Sequence, residues 1–480
     1  MYQVVTILIT KKNMPALHAF FCLMCSLAKN LHNAALFRLR NHFTARKKDS
    51  LTDNEKEVED EIAALVASGA GAPRAVISYT KMERLMRVTK NPDFFAGLPM
   101  QSAQWVVKKA CGDMFNWLKG LKAYNKNPED FTGKPQMPKY KKSGMDNILF
   151  TNQDAVVYKM EDGRSCLKLP LTKETVLVPD VMPGYVLKQA EAKPFYDSFR
   201  LLLTFGPEAA ADSTDTDGTA GTAAGEDSLP EGFMALPGKF AALDFGVSNT
   251  AALVTNEGSA LLYKGGALKC ENQWFNKRRA ELVSAEARGF EPKYVHTHAL
   301  DALSVHRELF LTDNMHKISC SIVDFCVGHG IKVLVLGKNK GWKQDVNIGR
   351  RNNQNFVSIP FEKLRFMITY KAQMAGIIVL VQEESYTSKS DFLSKDPIPV
   401  YGEEGAGRVK FSGTRMNHLY RSGTGVILNA DINGAANILR KAIPNAFDNV
   451  TDFTYLQNPR VIGFHGLNPQ CIPVKRIAAA

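Results

Sequence analysis

The chain has 480 residues, enough for roughly two to four domains, and 45% of them are hydrophobic, which excludes a largely disordered protein. Sixty Lys and Arg against 48 Asp and Glu leave a net charge of +12, which favours a polyanionic partner. No segment has the pattern of a targeting peptide or a membrane span, so we expect no membrane partner.

The N-terminal part combines a strand, a long helical region and a group of short strands. VVTILIT near the start predicts a strand, and the pattern from about Pro15 to Lys122 is helical. Residues 1–48 contain no Asp or Glu, which favours contacts with phosphates over a solvated helix face of mixed charge. After the basic, proline-punctuated stretch TGKPQMPKYKKSG, short alternating runs between Asn147 and Phe205 predict an antiparallel β-domain.

An acidic segment rich in Ala, Gly, Thr and Ser, residues 207–236, predicts a flexible linker to a differently patterned second half. Three meandering strands lie within KFAALDFGVSNTAALVTN and ALLYKG. Helices at Glu271–Arg288 and His298–Val327 follow, then the strand KVLVLGK, a helix at Pro360–Met374, the strand IIVLVQEE and a helix in NADINGAANILRKA. That order is the order of the ribonuclease H fold, so the expected class is multidomain α+β with a ribonuclease H-like α/β domain.

Two acids occupy the positions that metal-dependent nucleases of this fold use. Asp244 ends the first strand, and Asp431 stands in the first turn of the last helix. With a third carboxylate near the sheet edge they would form a cage of hard oxygen ligands for two Mg²⁺ ions. Asp431 has an alternative role, because a carboxylate in a first helical turn can simply cap amide donors.

The segment DFGVSNT has a second interpretation as the phosphate-binding hairpin of an actin-like ATPase. Such an enzyme needs a second hairpin of the DxGxxT kind, and none follows downstream. An Asp at the start of a late helix also favours the nuclease.

Three motifs together resemble the TnpB family of transposon-encoded RNA-guided DNA nucleases, relatives of type V CRISPR effectors: DFGVSN, YTSK at 386–389, and NADINGAANI. The basic stretch FTGKPQMPKYKK is similar to the segment that leads back into the family's wedge barrel. The resemblance implies a RuvC-like nuclease domain preceded by a β-barrel wedge domain with a helical recognition insert. The implied boundaries are 1–12 and 135–206 for the wedge, 13–134 for the insert, 207–236 for the linker, 237–445 for the nuclease with a cysteine-free loop insert at 386–428, and 446–480 for a C-terminal tail.

The third acid departs from the family pattern. Most members carry it at the end of the fourth sheet strand, where this chain has Gly337 and Lys338. We therefore expect a displaced catalytic glutamate at the end of the next strand, Glu384, with Glu383 as the fallback, because successive strand residues point to opposite faces. This acid would start roughly 10 Å from the first strand, two strand spacings away. The alternative is that both glutamates lie at a solvated strand end.

A second departure concerns zinc. Family members carry CxxC pairs between YTS and the last acid, but residues 386–428 contain no cysteine and only His418. A tetrahedral zinc site cannot be built from them. We expect no zinc, and a loop or β-finger held by Phe392, Tyr401, Phe411 and Tyr420.

A basic loop with one aromatic ring follows the fourth strand. Cations around a stacking ring are typical of nucleic-acid contacts, although a solvated loop is the alternative. The candidate residues are Lys338, Lys340, Trp342, Lys343, Arg350 and Arg351.

The resemblance implies an RNA-guided DNA endonuclease that cuts beside a short flanking motif. Asp244, Glu384 and Asp431 would bind two Mg²⁺ ions, with Mn²⁺ as a substitute. The implied partners are a guide RNA and double- and single-stranded target DNA, in a cytoplasmic, nucleoid-associated setting. The missing acid at Gly337 leaves open a nuclease-inactive repressor that binds RNA and DNA without cutting. A strand-joining transposase is disfavoured, since no nucleophilic Tyr or Ser motif is present.

Overall fold

The chain forms two compact units, Met1–Thr216 and Asp217–Ala480. A computed structural model describes residues 2–208, 238–287, 295–338 and 359–467, except 47, 143, 180, 182, 401 and 403–407. No helix within those ranges combines the length and apolar character needed to cross a membrane.

Helices dominate the first half of the first unit. The long helix α1 begins at Pro15, whose fixed φ suits the first helical position, and buried residues recur every three to four positions from Leu17 to Leu39. Thr52 and Glu55 form a capping box at the start of α2. The α-helices are α1 (Pro15–Ala45), α2 (Asp53–Leu65), α3 (Tyr79–Val88) and α4 (Met100–Lys126), with a π-helical turn at Val66–Ala70 and a 3-10 turn at Pro128–Asp130.

The strands of the first unit form two antiparallel sheets. The first sheet has the order β1-β7-β6-β2, so the N-terminal strand pairs with residues near 200, and the second has the order β3-β4-β5. Closure into a barrel stays a prediction. The strands are β1 (Gln3–Ile9), β2 (Ile148–Thr151), β3 (Val156–Lys159), β4 (Ser165–Lys168), β5 (Thr175–Val178), β6 (Tyr185–Phe195) and β7 (Ser198–Pro207).

Strand β6 is absent from the sequence-based prediction. Its inward positions include Ala190 and Ala192, both fully buried. Alanine gives a weak alternation signal, and the strand is recognised only through its pairing with β7.

The second unit is built on a six-stranded sheet of order β12-β11-β8-β9-β10-β16. Strand β9 is antiparallel to β8 and β10, whereas β11 is parallel to both β8 and β12. This places β12 two positions from β8, as the ribonuclease H order requires. The strands are β8 (Phe240–Asp244), β9 (Asn249–Thr255), β10 (Ala260–Lys264), β11 (Val333–Lys338), β12 (Ile378–Glu383) and β16 (Arg460–Ile462).

Helices cover both faces of this sheet, which explains why its central strands are apolar throughout. Ala241 and Leu243 of β8 join a core with α6 and α7, while Phe240 and Ala242 join a core with α8. Asp244 is two and four residues after Ala242 and Phe240, so its side chain lies on the same face of the sheet, the face that α8 covers. The helices are α5 (Gly266–Glu286), α6 (His298–Gly328), α7 (Phe361–Met374) and α8 (Ala430–Ala442), with 3-10 turns at Thr454–Leu456 and Phe464–Gly466.

The segment between β12 and α8 contains a small antiparallel sheet of its own. Its strands are β13 (Thr414–Met416), β14 (Leu419–Arg421) and β15 (Ile427–Asn429). Strand β15 runs directly into α8, so this finger is covalently continuous with the helix that carries Asp431.

Candidate functional site

Asp244 stands at the carboxyl end of the central strand β8, after four buried residues. A Cβ atom placed on Gly434 of helix α8 would lie 2.6 Å from Asp244 Oδ2. Any side chain at position 434 would displace this carboxylate. The glycine in NADINGAANI is therefore explained by the close approach of α8 to the strand end.

Asp431 lies in the first turn of α8 but does not cap the helix. Asn429 is the N-cap, and its Oδ1 accepts a hydrogen bond from Asp431 N at 3.0 Å. The Asp431 carboxylate instead accepts from Asn249 Nδ2 at 2.8 Å and pairs with Arg415 Nη2 at 3.4 Å. The alternative interpretation of Asp431 as a plain N-cap is wrong.

Glu384 follows the last residue of β12, and its side chain is only 8% exposed. A Cβ atom on Gly337 would lie 2.7 Å from Glu384 Oε2, so the glutamate side chain crosses β11 through the space that Gly337 leaves free. It thereby reaches Asp244, whose ionisation the negative charge of Glu384 opposes. The distance of two strands is bridged because the intervening strand has a glycine at its end.

Glu383, the fallback residue, has other partners. Its carboxylate accepts hydrogen bonds from Ser385 N and Ser385 Oγ, each at 2.7 Å, and from Lys441 Nζ at 2.8 Å. Burial opposes its ionisation, but Lys441 and Ser385 outweigh this effect and lower the pKa of Glu383. The two glutamates therefore differ in environment as strand alternation predicts: Glu384 contacts Asp244, and Glu383 is tied to α8.

Burial favours the neutral forms of both Asp244 and Glu384. It raises the pKa of Glu384 to about 7, although the positive charge of Arg365 acts in the opposite direction. Burial, followed by the negative charges of Glu384 and Asp431, raises the pKa of Asp244 well above its usual value.

Three further residues at the site are absent from the residues predicted from the sequence. Buried Arg365 of α7 donates from Nη2 to Gly337 O at 2.9 Å and lies 5.3 Å from the Phe245 ring centroid. Arg415 reaches Asp431 from β13, and Asn249 reaches it from the start of β9. Only Asn249 belongs to a quoted motif, DFGVSNT; the two arginines are brought in by tertiary structure.

The donor set fits a divalent cation. Three carboxylates supply the hard oxygen ligands that Mg²⁺ and Mn²⁺ prefer, and Glu384 Oε1 is buried without a hydrogen-bond partner. Gly337 and Gly434 keep the space around two of these carboxylates free of side chains. Within the described ranges, however, no group of three His, Cys, Asp or Glu side chains is arranged so that it could hold a metal ion. Burial of Asp244 and Glu384 favours their neutral forms, and the guanidinium of Arg415 lies beside the Asp431 carboxylate.

Most of the predicted basic loop lies outside the described residues. Lys338 is the exposed last residue of β11, whereas Lys340, Trp342, Lys343, Arg350 and Arg351 fall in the range 339–358. Of the aromatic residues expected to hold the finger, Phe392 and Tyr420 are buried, Phe411 is half-buried and Tyr401 lies outside the described set.

Comparisons with known proteins match the same part of the chain. A model of the OrfB_IS605 family, described as a probable transposase, matches residues 234–343, and a model of the Cas12f1-like TNB domain matches residues 361–438. The TnpB-like protein ORF457 of Acidianus two-tailed virus is 28% identical over 220 residues, which are 43% of this chain and 42% of the viral protein. These sequence matches support a relationship of residues 234–438 to the TnpB family.

The two family models cover all three carboxylates: Asp244 lies in the first, and Glu384 and Asp431 lie in the second. Less than half of the viral TnpB-like relative is matched. Among solved structures, a Cas12f1–sgRNA–target DNA complex aligns over 88% of this chain and 82% of that chain, at 14% identity and a TM-score of 0.45. The mini-RNA-guided endonuclease CRISPR-Cas_phi3 aligns over 92% of each chain, at 11% identity and a TM-score of 0.40. Because both TM-scores are below 0.5, the relationship to the TnpB family is drawn from the sequence matches alone.

Proposed function

We propose that this chain is an RNA-guided, magnesium-dependent DNA endonuclease that cuts next to a short flanking motif through a single RuvC-like site. The observation that carries the proposal is the convergence of Asp244, Glu384 and Asp431 at one edge of the sheet. They come from positions up to 187 residues apart, and two glycines leave room for their carboxylates. Three acids placed together, one of which has a buried carboxylate oxygen without a hydrogen-bond partner, would not be expected of a purely structural cluster.

The three carboxylates would hold Mg²⁺, with Mn²⁺ as a substitute. The bound ions would lower the pKa of the attacking water and stabilise the leaving oxygen in phosphodiester hydrolysis. A metal ligand must be ionised, so a bound cation would have to offset the burial that raises the pKa of Asp244, and Arg415 would have to turn away from Asp431.

Neighbouring residues have distinct proposed roles. Arg415 is placed to contact a non-bridging oxygen of the scissile phosphate, for which a guanidinium fork is suited. Asn249 holds the orientation of Asp431 through the bond from its Nδ2. The positive charge of Arg365 favours the ionised form of Glu384, and the hydrogen bond from Arg365 to Gly337 O fixes the end of β11.

The rest of the chain would supply recognition. We assign residues 1–12 and 135–206 to the wedge, 13–134 to the helical recognition insert, 237–445 to the nuclease, and 446–480 to a tail. Base pairing with a bound guide RNA would read the target, while the helical and wedge parts would read the flanking motif on duplex DNA. The net charge of +12 favours binding of both polyanions.

The test uses the full chain, its copurifying RNA and a labelled target DNA carrying matched sequence. We expect cleavage that requires Mg²⁺, and a loss of roughly 10³-fold or more in rate for Asp244→Ala, Glu384→Ala or Asp431→Ala. Target binding should stay within about threefold, because these side chains lie at the cut and not along the duplex.

Glu383→Gln is the matched control, since it alters the neighbouring carboxylate that is bonded to Lys441. It should retain most of the cleavage activity. Stable RNA-guided binding by the intact chain without cutting, at every Mg²⁺ concentration, would instead establish the nuclease-inactive repressor.

A further inference from the structure

Two buried aspartates hold together the finger that lies between β12 and α8. The TnpB resemblance implies a zinc ribbon in this interval, but its residues do not fit zinc, since 386–428 offer no cysteine and a single histidine. The interval nevertheless has an ordered core in its described part. Asp391 is fully buried and Asp396 is 7% exposed.

Asp391 accepts hydrogen bonds on both carboxylate oxygens. Its Oδ1 accepts from Leu393 N at 3.1 Å, and its Oδ2 accepts from Ser394 Oγ, Ser422 Oγ and Gly423 N, each at 2.7 Å. Gly423 must be a glycine here, because a Cβ atom would lie 2.9 Å from Ser412 Cβ and 3.1 Å from Ser394 Oγ.

Asp396 is saturated in the same way. Its Oδ1 accepts from Ser412 Oγ at 2.6 Å, and its Oδ2 accepts from Ser412 N at 2.7 Å and Asp391 N at 3.1 Å. All four carboxylate oxygens of the pair are thus engaged by protein donors, which excludes them as ready metal ligands and identifies them as structural acceptors.

The bonded segments lie at the base of the finger. Ser412 lies two residues before β13, Ser422 and Gly423 directly follow β14, and the two aspartates lie in the segment that enters the finger. We call Asp391, Asp396 and the donors Ser412, Ser422 and Gly423 the aspartate clasp. It closes the base of the β13–β14 hairpin.

The clasped finger is fixed to the helix that carries Asp431. Asn437 Nδ2 of α8 donates to Ser390 O at 2.7 Å and to Thr387 O at 2.9 Å, and Asn433 Nδ2 donates to Ser390 O at 2.8 Å. Tyr420 OH of β14 donates to Lys389 O at 2.7 Å. Arg415 lies on β13, the antiparallel partner of β14, and its Nη2 is 3.4 Å from Asp431 Oδ1.

We propose that the aspartate clasp replaces a zinc ion in this chain and positions Arg415 beside Asp431 at the nuclease site. Asp391 and Asp396 are positioning residues, because they act on the site only through the hairpin. The role in cleavage depends on the proposed nuclease function, whereas the closure of the finger does not.

The first test is a double-mutant cycle on the cleavage rate of the full chain with its guide RNA. Asp391→Ala and Arg415→Ala should each slow cleavage roughly 10-fold to 100-fold with target binding within about threefold, as expected when a group is misplaced by about 1 Å. If the clasp acts through Arg415, the double variant should be no slower than the slower single variant. Rates that multiply would overturn the positioning role.

Ser422→Ala is the milder variant, since it removes one donor to Asp391 and leaves the buried charge solvated by the remaining three. It should slow cleavage less than Asp391→Ala does. Adding Ser422→Ala to Arg415→Ala should again cause no further slowing. Asp452→Asn is the matched control, because Asp452 caps Thr454 in an exposed turn outside the finger, and it should leave cleavage unchanged.

The second test is independent of cleavage. Hydrogen exchange should show protected amides at Ser412 and Gly423 in the intact chain, faster exchange at both in Asp391→Ala, and no zinc by elemental analysis. If the intact chain fails to cut while this protection is seen, the nuclease proposal fails and the clasp stands. Stoichiometric zinc, or unprotected amides in an active chain, would overturn the clasp.

Discussion

At the level of single residues, the site depends on an exchange between Gly337 and Glu384. The family pattern places an acid at the end of the fourth strand, and here a glycine stands there while Glu384 Oε2 occupies the space beside its Cα. Displacement of the acid by one strand is physically reasonable because a glutamate is long enough to cross a neighbouring strand that has no side chain. The absence of an acid at Gly337 and the presence of Glu384 at the end of the next strand therefore have the same explanation.

This relation predicts that Gly337→Ala damages the site although alanine is small and apolar. The new Cβ would meet Glu384 Oε2 at 2.7 Å and Ile438 Cδ1 at 2.8 Å, so the glutamate must move. We expect the cleavage rate to fall at least about tenfold with target affinity unchanged. Gly328→Ala at the end of α6, where a Cβ meets nothing within 4 Å, is the matched control. Full activity in Gly337→Ala would show that Glu384 is not the working acid.

The raised pKa of Glu384 predicts a pH-dependent stability difference in metal-free protein. The pKa of Glu384 rises to about 7 on folding, so its neutral form favours the native state at low pH, and this contribution is lost as the pH rises towards and above 7. Glu384→Gln removes the titration. The variant should gain stability over the parent between pH 5 and pH 8, by on the order of 1–3 kcal/mol, in urea unfolding with a chelator present.

Glu383→Gln should behave in the opposite way. The pKa of Glu383 is lowered on folding by its donors, so its ionised form stabilises the native state above its unfolded pKa, and the substitution should destabilise the protein at neutral pH. Equal responses of the two variants would contradict the different environments assigned to the two glutamates.

At the level of elements, the sequence predicts the helices and strands of the second unit more completely than those of the first unit. The helix predicted over His298–Val327 is observed as α6, and the helix predicted over Pro360–Met374 is observed as α7. Their strong apolar periodicity and clear boundaries explain this success. Strands β6 and β16 escaped prediction, because β6 buries alanines and β16 has only three residues.

The finger shows a different limit of sequence reasoning. Aromatic residues were expected to hold it, and Phe392 and Tyr420 are indeed buried. Asp391 and Asp396 gave no signal, because an aspartate in an irregular, polar segment usually faces solvent. Their burial depends on donors from Ser412 and Ser422, which are 16 to 31 residues away in the chain.

At the level of the whole molecule, the chain consists of two units with separate cores. Residues 207–236 span the boundary of the two units, and most of them lie outside the described residues; they contain few large apolar side chains, and we propose that they form an accessible linker. No residue between Arg200 and Lys239 is Lys or Arg, whereas Glu208, Glu226 and Glu231 lie within this interval.

Limited digestion provides the corresponding prediction. A glutamate-specific protease should cut first at one or more of these three glutamates and yield two stable fragments, one from each unit. Trypsin, applied as a control, should be unable to cut in the interval. First cuts by the glutamate-specific enzyme inside either unit would refute the proposed linker.

Local chemistry along the chain was enough to select Asp244 and Asp431 as candidate site acids, because each belongs to a short motif at the end of a strongly periodic element. It was also enough to limit the candidate third acid to the pair Glu383–Glu384, since an unusual glycine replaces the expected residue. The choice between the two glutamates, the participation of Arg365 and Arg415, and the aspartate clasp depend on contacts between segments that are far apart in sequence. Such contacts are set by how strands and helices pack, and no local pattern encodes them.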